Sequence, residues 1–280
     1  MTARIIDGKA LAEKVRAAAK PAVERLTARG VQPGLAVIIA GDDPASHTYV
    51  RNKIKACADT GVRSELHQLP ASTTQSALHE RVRALNADPR VHGILVQMPL
   101  PKHIDSTSVL EAVAPEKDVD GFHPANLGAL VAGLPGVAPC TPAGVMKMLA
   151  SEDVTLQGRN AVVLGRSTIV GKPMALLLLH RDATVTICHS RTQNLPTLVQ
   201  EAEIVVGAVG RPEFIKGAWI AEGTVVIDAG YHPGGVGDVE LSAVIDKCAA
   251  YTPVPGGVGP MTIATLLTQT LEAAEKVCKV

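Results

Sequence analysis

The sequence predicts an α/β protein built from two domains in tandem. Three observations carry this reading. The chain has 280 residues, beyond the roughly 250 at which single cores usually divide. Apolar β-type runs alternate with amphipathic stretches twice over, before Pro99 and again after Pro142, which is the pattern of parallel βαβ units covered on both faces. Between the two series, residues 99–142 are rich in proline, glycine and short helical stretches and read as a connection. The expected boundaries are 1–120 for the N-terminal domain, 121–139 for the connection and 140–261 for the second domain. Active chemistry is expected in the cleft between them.

In order, Asp7 can cap a first helix whose apolar positions are Leu11, Val15, Ala18, Val23 and Leu26, ended near Gly30. Pro21 inside that pattern predicts a kink or a break. Leu35 to Ala40 is a continuous apolar strand, followed by a turn at Gly41-Asp42-Asp43-Pro44 and a helix through Tyr49, Lys53 and Cys57. Strands follow at Arg63 to Leu69 and His92 to Gln97, with a helix from about Thr74 to Leu85 between them. The second series reads strand Asn160 to Leu164, helix Gly171 to Leu179, then strands Thr184 to Ile187, Ile204 to Gly207 and Thr224 to Asp228. A last helix runs from about Met261 to Val277.

Composition removes several classes. Lys plus Arg and Asp plus Glu are both 27, so no overall field draws nucleic acid or an acidic membrane, although a local basic patch remains compatible with that balance. Aromatic residues are 2% of the chain, which leaves little for base-stacking platforms. Neither nucleic acid nor membrane is expected as a partner: apolar runs such as Met174 to Leu179 fall far short of the ~18–20 residues of a membrane span. Asp7 and Lys9 in the first amphipathic stretch do not suit a signal peptide. Cys57, Cys140, Cys188, Cys248 and Cys278 are odd in number and never paired as C-x-x-C, which predicts reduced thiols, no metal site and a cytoplasmic protein.

Six stretches carry chemistry. Strand 161–164 runs into Gly165-Arg166-Ser167 and then Gly171, before a helix. Such a strand, glycine turn and helix N-terminus suits a pyrophosphate, with the helix amides expected to face the anion, although the second glycine of G-x-G-x-x-G is missing. The next strand ends in Cys188-His189-Ser190-Arg191-Thr192, without the acid that selects NAD. Arg166, Ser190 and Arg191 there suit a 2′-phosphate, hence NADP; a solvated Arg191 is the plainer account. Tyr49 and Lys53, four apart, share a helix face, as many amphipathic helices allow, or form a site in which a lysine of lowered pKa moves protons. Gln97 ends a strand just before Met98-Pro99-Leu100-Pro101, where it can hold a lysine on one side and a substrate on the other. Lys117-Asp118-Val119-Asp120-Gly121 is either a charged turn or a carboxylate site, and the loop Pro253 to Thr262 offers glycine amides for close approach to a flat ligand.

Taken together, Tyr49-Val50-Arg51-Asn52-Lys53, Val96 to Pro101, Lys117 to Gly121, Gly165-Arg166-Ser167 with Val170-Gly171 and Pro173, and Pro255 to Thr262 resemble the bifunctional methylenetetrahydrofolate dehydrogenase/methenyltetrahydrofolate cyclohydrolase family along essentially the whole chain. The resemblance implies an N-terminal α/β/α substrate domain, a Rossmann-like NADP-binding domain, and a C-terminal helix, about 262–280, that packs back on the first. It implies NADP as cofactor, tetrahydrofolate derivatives as substrates and a homodimer. By the same resemblance Lys53 handles protons with Gln97 holding it, Tyr49 orients Lys53, and Asp120 binds the pterin edge. Pro99, Leu100, Gly257, Pro260 and Thr262 line the substrate. Gly165, Arg166, Ser167, Ser190 and the backbone near Tyr231 hold the cofactor, joined by Arg191 from the reading of the strand end above; Tyr231 stands where the family often has an aliphatic residue. The competing readings are a different NADP-linked dehydrogenase of shikimate type, which leaves Pro255 to Thr262 unexplained, and a non-catalytic nucleotide-binding protein, which has no need of Lys53.

Overall fold

A computed structural model describes residues 3–278. In chain order the strands are β1 (Arg4–Ile5), β2 (Gly34–Ala40), β3 (Arg63–Leu69), β4 (Gly93–Val96), β5 (Asn160–Leu164), β6 (Thr184–Cys188), β7 (Ile204–Gly207), β8 (Val225–Asp228) and β9 (Ala250–Tyr251). The helices are α1 (Gly8–Ala28), α2 (Pro44–Thr60), α3 (Gln75–Ala87), α4 (Ser106–Glu111), α5 (Pro124–Ala132), α6 (Cys140–Ser151), α7 (Gly171–Leu179), α8 (Leu195–Gln200) and α9 (Val258–Cys278). Two compact units result: one holds the chain up to Ala12, Leu130–Leu134 and Thr141–Thr262, the other Glu13–Ala129, Pro135–Cys140 and the chain from Ile263 on.

The second of these is built on a parallel sheet in the order β3-β2-β4. Every residue of β2 is buried, because a central strand covered on both faces can be apolar throughout. Its side chains alternate between two cores. Leu35, Val37 and Ile39 pack with Val23 and Leu26 of α1, Val50 and Cys57 of α2, and Ile263, Leu266 and Leu267 of α9. Ala36 and Ile38 pack with Leu78, Val82 and Leu85 of α3. Each such buried aliphatic side chain stabilises the fold by about 1.5–3 kcal/mol before entropy is charged against it. Asp43 starts α2 by accepting the Ser46 amide at 2.8 Å, Pro44 occupies the first turn, and Gly61 stops it in a left-handed conformation, φ 82°. Residues beside Lys117 extend the sheet, with the Ile94 amide donating to the Lys117 carbonyl at 2.8 Å.

The other unit carries a parallel sheet in the order β1-β9-β8-β7-β5-β6. Chain order reverses at β5, which has β6 on one side and β7 on the other. In open α/β sheets ligands lie beyond the carboxyl end of such a strand. That end is Leu164-Gly165.

Four differences from the sequence reading have physical causes. Pro21 neither kinks α1 to an end nor breaks it: the helix runs through to Ala28, and Pro21 lies on its exposed face, where the missing amide meets solvent and not the core. Strands β1 and β9 escape detection because two residues each carry no periodicity; their pairing, with the Arg4 amide donating to Ala249 at 2.9 Å, takes the start of the chain out of the expected 1–120 domain. Helix α6, at the start of the expected second domain, and helix α8, between two of its expected strands, go unnamed in the sequence reading, α8 because its six residues span less than two turns. The last helix starts at Val258, three residues before Met261.

Candidate active site

On α2, Tyr49 and Lys53 stand one turn apart, and the Lys53 ammonium lies 4.6 Å from the centre of the Tyr49 ring. Lys53 is only 4% exposed. Its Nζ donates to Gln97 Oε1 at 3.1 Å, and Gln97 Nε2 donates to the Met98 carbonyl at 2.7 Å. The second bond fixes which way the amide faces, oxygen toward the lysine, and leaves one amide proton for a ligand. Pro99, exposed, and Leu100, packed partly into the core under β4, follow directly. Burial pushes Lys53 below the ordinary lysine pKa, with Asp120 and then Cys140 opposing that shift. Asp120 is raised by burial, against the pull of Lys53 and with the push of Asp118. Lys53, Tyr49, Gln97 and Asp120, expected together from the sequence, are thus brought to one place.

The two carboxylates of 117–121 separate in role. Asp118, buried, accepts the amides of Gly121 at 3.0 Å, Phe122 at 3.1 Å and His123 at 2.8 Å, and Asn126 Nδ2 at 2.8 Å. It is the turn anchor that leaves Asp120 free to face Lys53. Sequence reasoning missed two further members. Cys140 is buried beside Asp120 and its thiol donates to the Val119 carbonyl at 3.2 Å; burial first, and then the Asp120 carboxylate, push the thiol pKa well up. Gln269 of α9 donates to the Val119 carbonyl at 2.7 Å and to Cys140 Sγ at 3.1 Å. Nothing local marks either residue, since a lone cysteine and one glutamine in an amphipathic helix are ordinary.

In the six-stranded unit, a Cβ on Gly165 would run into the Ala208 carbonyl oxygen, and Gly165 has φ 128°, so only glycine fits this turn. The expectation that helix amides face the anion needs correction. The Val170 and Gly171 amides donate to Ser167 Oγ at 3.1 and 3.2 Å, the Lys172 amide donates to the Ser167 carbonyl at 3.0 Å, and Pro173 has none. Ser167 therefore closes the turn onto α7. Among the described residues the amides of Arg166 to Ile169 make no hydrogen bond, and these are the donors a pyrophosphate would meet. Register pairs Leu164 with Cys188, so Arg166 and Ser190 each follow, by two residues, the carboxyl end of one of two neighbouring strands. Both are exposed, as is Arg191. The residues present fit NADP: phosphate donors, and no acid across 188–192 to repel a 2′-phosphate. Tyr231, beyond β8, is 69% exposed. Gly257, Pro260 and Thr262 belong to this unit and not to the three-stranded one. Their loop is pinned by the start of α1: the Lys9 amide donates to the Gly256 carbonyl at 2.8 Å, and a Cβ on Gly8 would strike the Gly257 carbonyl oxygen. Thr262 shares a 3.0 Å hydroxyl contact with Thr141.

With that geometry established, two regions find relatives. Residues 6–120 match the tetrahydrofolate dehydrogenase/cyclohydrolase catalytic domain, and residues 139–278 match the NAD(P)-binding domain of the same family. The chain belongs to the tetrahydrofolate dehydrogenase/cyclohydrolase family. It is 59% identical over 280 residues to the bifunctional protein FolD of Ralstonia nicotianae, an alignment covering 99% of this chain and 97% of that one. The crystal structure of the Campylobacter jejuni bifunctional FolD is similar with a TM-score of 0.95 at 44% identity, over 98% of this chain and 99% of that one. The Trypanosoma brucei FolD, complexed with NADP cofactor and inhibitor, is similar with a TM-score of 0.96 at 40% identity over 100% of both chains. Shikimate dehydrogenase from Thermus thermophilus, at 16% identity and a TM-score of 0.55, shares the fold alone, so the shikimate-type reading falls away. This tetrahydrofolate dehydrogenase/cyclohydrolase is a bifunctional, NADP-dependent enzyme: it oxidises 5,10-methylenetetrahydrofolate to the 5,10-methenyl form and hydrolyses that to 10-formyltetrahydrofolate. The non-catalytic alternative falls with it. Among the described residues no helix is long and apolar enough to cross a membrane.

Proposed function

We propose that Lys53 is the group that moves protons in the hydrolytic step, and that the oxidative step is one of positioning. Bound NADP supplies the nicotinamide that accepts a hydride from the methylene carbon; no proton need be abstracted there. In hydrolysis, water adds to the cationic methenyl carbon and loses a proton, and the bond from that carbon to folate N5 breaks as N5 gains one, while the remaining hydroxyl releases its proton to solvent and becomes the formyl carbonyl. Neutral Lys53 takes the first proton and returns it as the ammonium to the departing nitrogen. A lysine in water is charged near neutrality and cannot accept; Lys53 is buried, which favours the neutral amine, and held at Nζ by Gln97, and that placement carries the reading. Gln97 holds Nζ through its oxygen, and Tyr49 orients the lysine stem and lines the substrate beside Pro99 and Leu100.

Asp120 meets the pterin amide and amine edge, whose donors a carboxylate matches. Gly257, Pro260 and Thr262 are further substrate-lining residues by the family resemblance. On the cofactor side, the loop amides from Arg166 onward take the pyrophosphate, with Gly165 allowing the approach and Ser167 closing the turn. Arg166, Ser190 and Arg191 take the 2′-phosphate, and the backbone at Tyr231 borders the nicotinamide. The enzyme works as a cytoplasmic homodimer. The deciding experiment is Lys53→Met, followed by decay of the methenyl chromophore and by NADPH formation. Cyclohydrolase turnover should vanish while hydride transfer survives; equal loss of both in a folded, folate-binding variant would remove Lys53 from the proton-handling role.

A further inference from the structure

Beyond the carboxyl ends of β7 and β8 lies an arrangement that phosphate binding does not explain. Asp238 is fully buried. Its Oδ2 accepts the amides of Val209 at 2.6 Å and Gly210 at 3.0 Å; its Oδ1 accepts the Arg211 amide at 3.0 Å and faces His232 Nε2 at 2.9 Å. One carboxylate thus joins the loop after β7 to the loop after β8. Asp228, the last residue of β8, secures the base by accepting the amides of Gly230, Asp238 and Val239, each at 2.9 Å. A Cβ on Gly230 would strike the Asp238 carboxylate, and one on Gly237 would strike that of Asp228. The packing leaves no slack.

Among the described residues Asp238 pairs with no lysine or arginine; His232 is its one ionisable partner. The imidazole sits at the foot of a tight turn in which the His232 amide donates to Val236 at 2.8 Å and the Gly235 amide to the His232 carbonyl at 3.1 Å. Tyr231 is its chain neighbour, and the Ala208 carbonyl of the β7 loop abuts Gly165. Three backbone amides would hold Asp238 without help. The histidine adds a tie that holds the β8 loop in particular.

We propose that His232 and Asp238 form a clasp that positions the two loops bordering the nicotinamide end of NADP, making His232 a positioning residue for cofactor binding and hydride transfer. The inference rests on the reading that Gly165 to Ser167 and the backbone at Tyr231 hold NADP. The test compares His232→Ala with His232→Gln, whose amide restores a donor at about the place of Nε2, and with Arg166→Ala, which loses a phosphate contact only. Calorimetric NADP affinity, cyclohydrolase turnover without NADP, and melting temperature are measured for each. His232→Ala should weaken NADP about tenfold, the loss of one charge-assisted hydrogen bond, and slow hydride transfer. His232→Gln should recover most of the loss, and cyclohydrolase should stay within twofold in both His232 variants. Should His232→Ala not fold, His232→Asn, too short to reach Asp238, takes its place. Weakened NADP binding in Arg166→Ala with wild-type binding in His232→Ala would overturn the clasp alone. Wild-type binding in Arg166→Ala would overturn the cofactor-site reading and the clasp with it. Loss of cyclohydrolase and of melting temperature in parallel with NADP affinity, unrescued by glutamine, would make His232 a structural residue and overturn the clasp as well.

Discussion

At the scale of single residues, the environment of Lys53 decides the chemistry. Burial lowers its pKa and Asp120 pulls it back up, so the neutral fraction grows as pH rises through the lowered value. Cyclohydrolase turnover should therefore climb with pH over that range and then level off. Gln97→Glu sets an opposite charge beside Nζ in place of a neutral amide oxygen 3.1 Å away, which favours the ammonium. The rising limb should move to higher pH in a pH–rate profile of this variant; an unmoved limb would mean that Lys53 does not titrate in the step. On the cofactor side, Arg191→Ala or Ser190→Asp should raise the Michaelis constant for NADP by about 10- to 150-fold, the worth of one charge-assisted contact, and leave that for NAD nearly unchanged. Comparable effects on both would show that the end of β6 does not read the 2′-phosphate. These residues were legible in the sequence because strand ends and helix spacing are local. Cys140 and Gln269 were not, since only the fold brings Cys140 beside Asp120 and Gln269 onto Cys140.

At the scale of elements, alternation decided what could be read. Gly171–Leu179 and Arg63–Leu69 are long enough to show their period, and the structure has them at those bounds. Two-residue strands show none. Pro21 marks where local propensity loses to packing: α1 buries Ala19, Val23 and Leu26 against β2 and α9, and that burial carries the helix past a residue unable to donate to the preceding turn. Pro21→Ala supplies the missing amide on an exposed face, while loosening the unfolded chain by a fraction of that gain. It should stabilise the enzyme by about 1–2 kcal/mol, measured as a higher denaturant midpoint with an unchanged slope. A fall in midpoint would show that the proline is needed for the helix's path. Asp118 makes the same point for loops, since nothing in Lys117-Asp118-Val119-Asp120 by itself says which carboxylate anchors the turn and which stays free.

At the scale of the whole molecule, the proposed roles divide between the two units. Lys53, Tyr49, Gln97 and Asp120 belong to the three-stranded one; Gly165, Arg166, Ser190, Arg191 and Tyr231 belong to the six-stranded one. Asp120 is proposed to grip the substrate of both reactions, and a contact common to both should act on binding as well as rate. Asp120→Asn should impair dehydrogenase and cyclohydrolase together and weaken folate binding, with NADP affinity nearly unchanged. Calorimetric titration of each ligand decides it, and intact folate affinity with both activities preserved would reduce Asp120 to a turn residue.

What the sequence by itself determined is the α/β class, most long elements, the missing acid beyond β6, and the motifs by which the chain resembles its family. All of these are written in neighbouring residues, where period, turn chemistry and strand ends act over a few positions. Tertiary structure alone decided that the start of the chain joins the six-stranded sheet, that Ser167 consumes the first amides of α7, that Cys140 and Gln269 stand behind Asp120, and that Asp238 ties two loops through His232. Each depends on hydrogen bonds between residues far apart in sequence or on which of several nearby acceptors an amide finds. Burial then sets the strength of those bonds and the proton affinity of the groups that make them.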